Sequence, residues 1–384
     1  MIIKRLNRIL LLARCLTRAI FYGRADKIPS NISVIIVVPS GKLGDVVCAT
    51  PVLYAIRTHL PQVRLVVAGN SKLHCLLLSD SGLADDYLDL EENGAVPRIK
   101  SCNADVALIT GPSYESVALL YLAGIKLVIA PQAVGGFSSS ETRPYKILQH
   151  FIKIFPYQID GYAPRERLKA LEPLAIYSSD TTKHLGFSKM AEKKTIDLIS
   201  KISGSYRYLV GISAGAGSKE KQWDPKKFAQ VTNHLTKEHG VHVIVFGGKN
   251  DIAESSELMS AIEDKSRMTD STCISIDDLK ARISKLDAFI SVNTGPLYIA
   301  EAFDIPTVDI LGPVDPWDQS PRGKIHKRVF PPGKPKPLFS IMNMRNHDIR
   351  EAKRIAESTR LEDVKLAAEE ALKEVDERRL VKKG

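Results

Sequence analysis

The chain has 384 residues, 44% of them hydrophobic and 26% charged, which fits a soluble globular protein of two domains and excludes a disordered chain or a membrane bundle. Its formal net charge of +10 asks for an acidic partner: nucleic acid, an anionic membrane surface or a phosphorylated substrate. Nucleic acid is the weakest of the three, because no zinc finger, RNA-recognition signature or arginine-rich arm is present and only 7% of residues are aromatic.

No uncharged apolar run approaches the roughly 20 residues that a spanning helix needs. Cys15, Cys48, Cys75, Cys102 and Cys273 are scattered, with no zinc or dithiol spacing, and suit a reducing cytoplasm.

Residues 1–30 form a basic, amphipathic N-terminal helix. At about 100° per residue, Ile2, Ile3, Leu6, Ile9, Leu10, Ala13, Leu16, Ile20 and Phe21 share one side, and Lys4, Arg5, Arg8, Arg14 and Arg18 the other. Two outcomes stay open: an interfacial helix on anionic lipid, or a helix packed on its own domain with a solvated basic face. A cleaved signal peptide is not expected, since arginines interrupt the apolar segment and no small-residue cleavage site precedes Arg24.

From residue 31 the pattern alternates strand, loop and helix. Val34–Val38 is β-branched, Gly41–Gly44 breaks it, Val46–His59 is helical and Arg64–Ala68 is extended again, a βαβ unit with parallel strands. Strands over Asp105–Thr110 and Lys126–Ala130 and a helix around Ser116–Ala123 continue the cycle, and Ala133–Ser140 reads as a Gly/Ser-rich loop. A polar connection over Ser178–Lys194 separates an N-terminal domain, 31–178, from a C-terminal one, 179–345.

The second domain repeats the alternation with strands at Tyr208–Ser213, Val241–Phe246, Ala288–Val292 and Thr307–Leu311. The remainder, 346–384, is a charged helical tail.

The loops carry the chemistry. Asp45 opens a helix straight after a strand, where its carboxylate could act as a general base or complement the helix dipole. Ser213 ends the strand that leads into Gly215, Gly217, Ser218 and Lys221, which could cradle a diphosphate or form an ordinary glycine turn. Thr294 and Gly295 start an apolar helix and could bind the same diphosphate or merely cap the helix. Asp251 could meet a ribose hydroxyl or cap its own helix. No Walker loop, Asp-x-Asp or HExxH sequence is present, and the nine histidines form no ligand-spaced cluster, so no metal or other cofactor is expected.

The ordered set GDVVCATP, KQWDP, GGKND, NTGPLYIAEA and LGPVDPWDQSP resembles glycosyltransferase family 9, the lipopolysaccharide heptosyltransferases, over Val34–Gly323 with a tail match at Leu361–Leu372. The resemblance implies an α/β protein of the GT-B fold, two Rossmann-like domains facing a central cleft. The reaction it implies is inverting and metal-independent, moving a sugar, foremost heptose from ADP-heptose, to a lipopolysaccharide-core or other lipid-linked acceptor.

By the same resemblance Asp45 is the base. Lys221 is the diphosphate ligand, with Trp223 followed by Asp224 before Pro225. Thr294 and Gly295 form the phosphate turn, Asp251 lies near the ribose, and Ile274 and Ile276 line the base pocket. Asn293 and Tyr298 stand where the family has aspartate and histidine facing the donor.

Lys42, Arg57, Arg143 and Lys146 are candidates for an anionic acceptor. The expected location is cytoplasmic, with peripheral attachment to the inner face of the cytoplasmic membrane in view. A non-catalytic nucleotide-sugar or glycan-binding homologue and a GT-B nucleotide-sugar epimerase are the alternatives.

Overall fold

The structure, a computed structural model, describes residues 2–39, 41–91, 94–202, 206–343 and 348–381. The side chains of Ile2, Ile3, Lys4, Arg5 and Leu6 and the domain boundary expected after residue 345 lie outside the described residues.

The chain divides into two compact units, Met1–His184 with Ile341–Met344, and Leu185–Ser340 with Arg345–Gly384. The first runs α1 (Ile2–Tyr22), β1 (Val34–Val38), α2 (Leu43–Val47), α3 (Thr50–His59), β2 (Arg64–Gly69), α4 (Ser71–Leu78) and β3 (Asp86–Asp89). It continues with α5 (Ala95–Ser101), β4 (Val106–Ile109), α6 (Tyr114–Leu122), β5 (Leu127–Val134), α7 (Arg143–Gln149), β6 (Lys153–Gln158) and α8 (Ala163–Leu168).

The second runs α9 (Lys189–Ser200), β7 (Tyr208–Ser213), α10 (Pro225–His239), β8 (Val241–Gly247), α11 (Ile252–Ala261), β9 (Met268–Thr272) and α12 (Ile276–Ile283). Then come β10 (Ala288–Val292), α13 (Gly295–Ala302), β11 (Thr307–Ile310), β12 (His326–Val329), α14 (Ile349–Ser358) and α15 (Leu361–Val381).

Each unit holds one six-stranded sheet, ordered β3-β2-β1-β4-β5-β6 in the first and β12-β11-β10-β7-β8-β9 in the second. Every pairing within the two sheets is parallel. Both follow the Rossmann order, in which the winding reverses beside the first strand and opens a crevice at the carboxyl edge. That switch lies at β1/β4 in one unit and β7/β10 in the other. The α/β class with two Rossmann-like units of the GT-B kind is therefore what the chain adopts.

The central strands are continuous apolar runs because helices cover both of their faces. VIIVV in β1, YLVGIS in β7 and AFISV in β10 are buried almost throughout. Local chemistry sets where helices start. Asn70, Ser113, Ser188 and Ser275 each accept a backbone N–H at the start of α4, α6, α9 and α12. Asp224 caps α10 with Pro225 in its first turn.

The charged tail belongs to the second unit's core. α15 lies against α10, β10, β11 and β12 and contributes Val364, Ala368, Ala371 and Leu372. Trp223, 1% exposed, meets Phe228 edge-on at 5.0 Å and donates its indole N–H to the Thr359 carbonyl at 3.1 Å.

The N-terminal helix does pack on its own unit, but not through the side that the helical wheel selects. Cys15 is buried against α6, with Leu11, Leu12 and Ala19 beside it, while Ile9, Leu10, Ala13, Leu16, Ile20 and Phe21 are exposed. Small side chains at 15 and 19 let the helix lie close. Two basic residues grip the rim: Arg8 pairs with Glu115 at 2.5 Å and Arg18 stacks 4.5 Å from the Tyr121 ring centre.

The two tryptophans separate core from surface. Trp223→Ala should cost about 3–5 kcal/mol, whereas Trp317→Ala, at a side chain 53% exposed, should cost about 1 kcal/mol or less. Denaturant unfolding monitored in the second unit compares them.

Candidate functional site

In the first unit the loop after β1 reaches the carboxyl edge at the switch point and turns directly into α2. Gly41 makes the turn possible: its φ is +95°, and a Cβ there would collide with the Asp45 carboxylate. Asp45 Oδ2 accepts the Lys42 backbone N–H at 2.9 Å, so the helix-start role is realised.

Its other oxygen takes a different partner. Arg167 of α8 donates from Nη2 to Asp45 Oδ1 at 3.3 Å and from Nη1 to the Asp45 carbonyl at 3.0 Å. The Arg167 side chain is 2% exposed and that of Asp45 24%. A buried guanidinium so placed holds the carboxylate in one orientation and leaves part of it open to solvent. Sequence reasoning misses Arg167, because 122 residues separate the pair and nothing in APRERL marks one arginine as internal.

The acceptor candidates divide. Lys42 is exposed beside Asp45, and Arg143 and Lys146 are exposed on α7, after the β5 loop. Arg57 is a correction: its guanidinium donates to the Leu83 and Val63 carbonyls and pairs with Asp85 at 2.6 Å. It fastens α3 to neighbouring loops rather than offering charge to a ligand.

In the second unit the loops after β7, β8, β9 and β10 hold the expected donor residues at one sheet edge. Ser213 is buried at the end of β7 and Gly215 follows. A Cβ on Gly215 would strike the Asp251 carboxyl, so the β7 and β8 loops touch. Asp251 Oδ2 accepts the Gly248 N–H at 2.9 Å, which makes it a cap for its own turn.

Gly217 is exposed, and the Ser218 hydroxyl oxygen is buried without a hydrogen-bond partner among the described residues. Lys221 Nζ stands 5.1 Å from the Phe339 ring centre. Ile274 and Ile276 are half-buried on either side of Ser275, the cap of α12.

Thr294 precedes α13 in extended conformation and its side chain makes no cap hydrogen bond. Gly295 N–H belongs to the first turn, whose donors point out of the helix, and both residues are half-buried.

Asn293 and Tyr298 bond each other. The Tyr298 hydroxyl donates to Asn293 Oδ1 at 2.8 Å, and Asn293 Nδ2 donates to Asp309 Oδ2 and Ser320 Oγ, both at 3.2 Å. Tyr298 is 3% exposed and Asp309 fully buried. Burial is the main cause that pushes the Asp309 carboxyl up to about 6, opposed by its bonds to Ser320 and Asn293 and by Arg328, and aided by Glu301. Asp309 and Ser320 were absent from the sequence expectations. A signal existed for Asp309, a charged residue inside the buried strand TVDI.

The folded state thus prefers protonated Asp309, so its contribution to stability is complete below pH 3.8 and is lost as pH rises through about 6. Relative to Asp309→Asn, the native protein should lose about 1–3 kcal/mol across that window. Denaturant titrations of both proteins at several pH values provide the comparison, and parallel profiles would rule out titration of Asp309.

The profile described as "Glycosyltransferase family 9 (heptosyltransferase)" matches residues 98–342. A lipooligosaccharide heptosyltransferase 2 from Campylobacter jejuni is 23% identical over 295 residues, covering 74% of this chain and 84% of the relative. A solved family 9 glycosyl transferase from Veillonella parvula superposes with a TM-score of 0.66 at 17% identity, over 79% of this chain and 87% of the other. The E. coli ADP-heptose LPS heptosyltransferase II does so at 0.64 and 16%, over 87% and 99%. With more than half its length matched by the family profile, the chain belongs to glycosyltransferase family 9 and is a transferase of the heptosyltransferase group.

Proposed function

We propose that the protein moves a heptose from ADP-heptose to a hydroxyl of an anionic, lipid-linked core oligosaccharide, inverting the anomeric centre and using no metal ion. The observation that carries this reading is the Asp45 carboxylate, anchored by buried Arg167 yet partly open to solvent. An ionised, oriented carboxylate is what proton removal from an acceptor hydroxyl requires. The hydroxyl oxygen forms its bond to the anomeric carbon as the bond from that carbon to the diphosphate breaks, the proton passes to Asp45, and ADP leaves.

Charge on the departing diphosphate is assigned to Lys221, to the loop of Gly215, Gly217 and Ser218, and to the N–H groups of Thr294 and Gly295 at the start of α13. Cationic side chains and a helix N-terminus supply what a divalent ion supplies elsewhere, and the sequence offers no Asp-x-Asp pair. The similar E. coli structure is that of an ADP-heptose LPS heptosyltransferase II, which supports the donor. Lys42, Arg143 and Lys146 suit an anionic acceptor, and no nucleic-acid partner is part of this reading. A cytoplasmic location suits five free cysteines.

Two measurements test the reading. Asp45→Asn should lower turnover about 10²- to 10⁴-fold while nucleotide affinity, measured by calorimetry, stays within a factor of a few; retained turnover would exclude Asp45 as the base. In a thermal-shift panel of ADP, GDP, UDP and CDP, only ADP should stabilise, by about 2.7 kcal/mol at 100 times its dissociation constant. A shift with another nucleotide instead would keep the mechanism and change the donor.

A further inference from the structure

The side of α1 that faces away from its own unit is apolar, the reverse of an ordinary surface helix. Leu11, Leu12, Cys15 and Ala19 hold the helix in place. The opposite arc carries Ile9, Leu10, Leu16, Ile20 and Phe21, whose exposures run from 37% to 81%. Unfilled apolar area of this kind marks a contact surface.

Charge narrows the occupant. Residues 1–28 contain seven lysines and arginines against one acid, Asp26, a net of +6 out of +10 for the whole chain. Arg14 and Lys27 are exposed, and α1 contains no acidic residue. No described helix is long and apolar enough to cross a membrane.

We propose that this face docks on a bilayer surface bearing anionic phospholipid headgroups. The helix lies in the plane of the interface, with Ile9, Leu16, Ile20 and Phe21 reaching below the headgroups and Arg14 and Lys27 beside the phosphates. Each cation near an anionic leaflet strengthens binding about fivefold. A second copy of the chain fits less well, because it would bring two segments of +6 together. The proposal is independent of the transferase chemistry, and its test needs no donor or acceptor.

The experiment is cosedimentation of the full chain with phosphatidylcholine vesicles, with and without phosphatidylglycerol. Binding should require phosphatidylglycerol, weaken as salt rises, and fall more than about tenfold in the double variant Ile20→Asp/Phe21→Asp with an unchanged melting midpoint. Equal binding by variant and native protein would overturn the proposal, as would equal binding to neutral vesicles. A concentration-dependent dimer in vesicle-free solution, abolished by the same two substitutions, would also overturn it by assigning the face to a second copy.

Discussion

Parallel strand pairing is the constraint from which the rest follows. A parallel neighbour cannot be reached by a tight turn, so each connection must cross the sheet, and helices come to lie on both faces. The strands then need side chains that are apolar on both sides. All loops that leave their carboxyl ends gather along one edge, which is why residues as distant in sequence as Gly215, Asp251, Ile276 and Thr294 border one edge of a single sheet. Reversal of the winding beside β1 and β7 keeps helices from closing over that edge at its centre.

Within that frame the polar groups are set by burial. Arg167 is almost wholly enclosed and bonds both the side chain and the carbonyl of Asp45, so it joins α8 to α2, which follows the loop after β1. In the second unit Asp309, Asn293, Ser320 and Tyr298 form a connected set below the start of α13. Asn293 and Tyr298 are therefore matched to each other: an amide oxygen that accepts a hydrogen bond meets a phenol that donates one. The negative charge of the cluster resides on Asp309, whose depth disfavours it.

The sequence announces the interior of each sheet and little of its margins. The eight apolar runs read as strands correspond to β1, β2, β4, β5, β7, β8, β10 and β11. The other four, β3, β6, β9 and β12, are the edges of the two sheets. An edge strand is covered less completely and needs no continuous apolar run: DYLD is half-buried throughout, and KIFPYQ carries a proline that only an edge tolerates well.

The glycine-bearing loops that carry the candidate residues were legible because their backbone requirements are local. Arg167 was not, since its role depends on a contact across the fold. For α1 the hydrophobic pattern marked the wider apolar side for lipid or for its own domain, while close helix approach selected the narrower side with Cys15 and Ala19 for packing.

The joining of α15 to the second unit has a consequence for synthesis. Val364, Ala368, Ala371 and Leu372 complete a core whose strands begin at Tyr208, and Arg378 and Arg379 bond Asp304 and Asp287 from near the helix end. On the ribosome, the second sheet must wait exposed for its last helix to emerge. At about 5–20 residues per second, the roughly 200 residues of that unit take some 10–40 s to appear, during which the apolar surface that α15 will cover is open to chaperones and to aggregation.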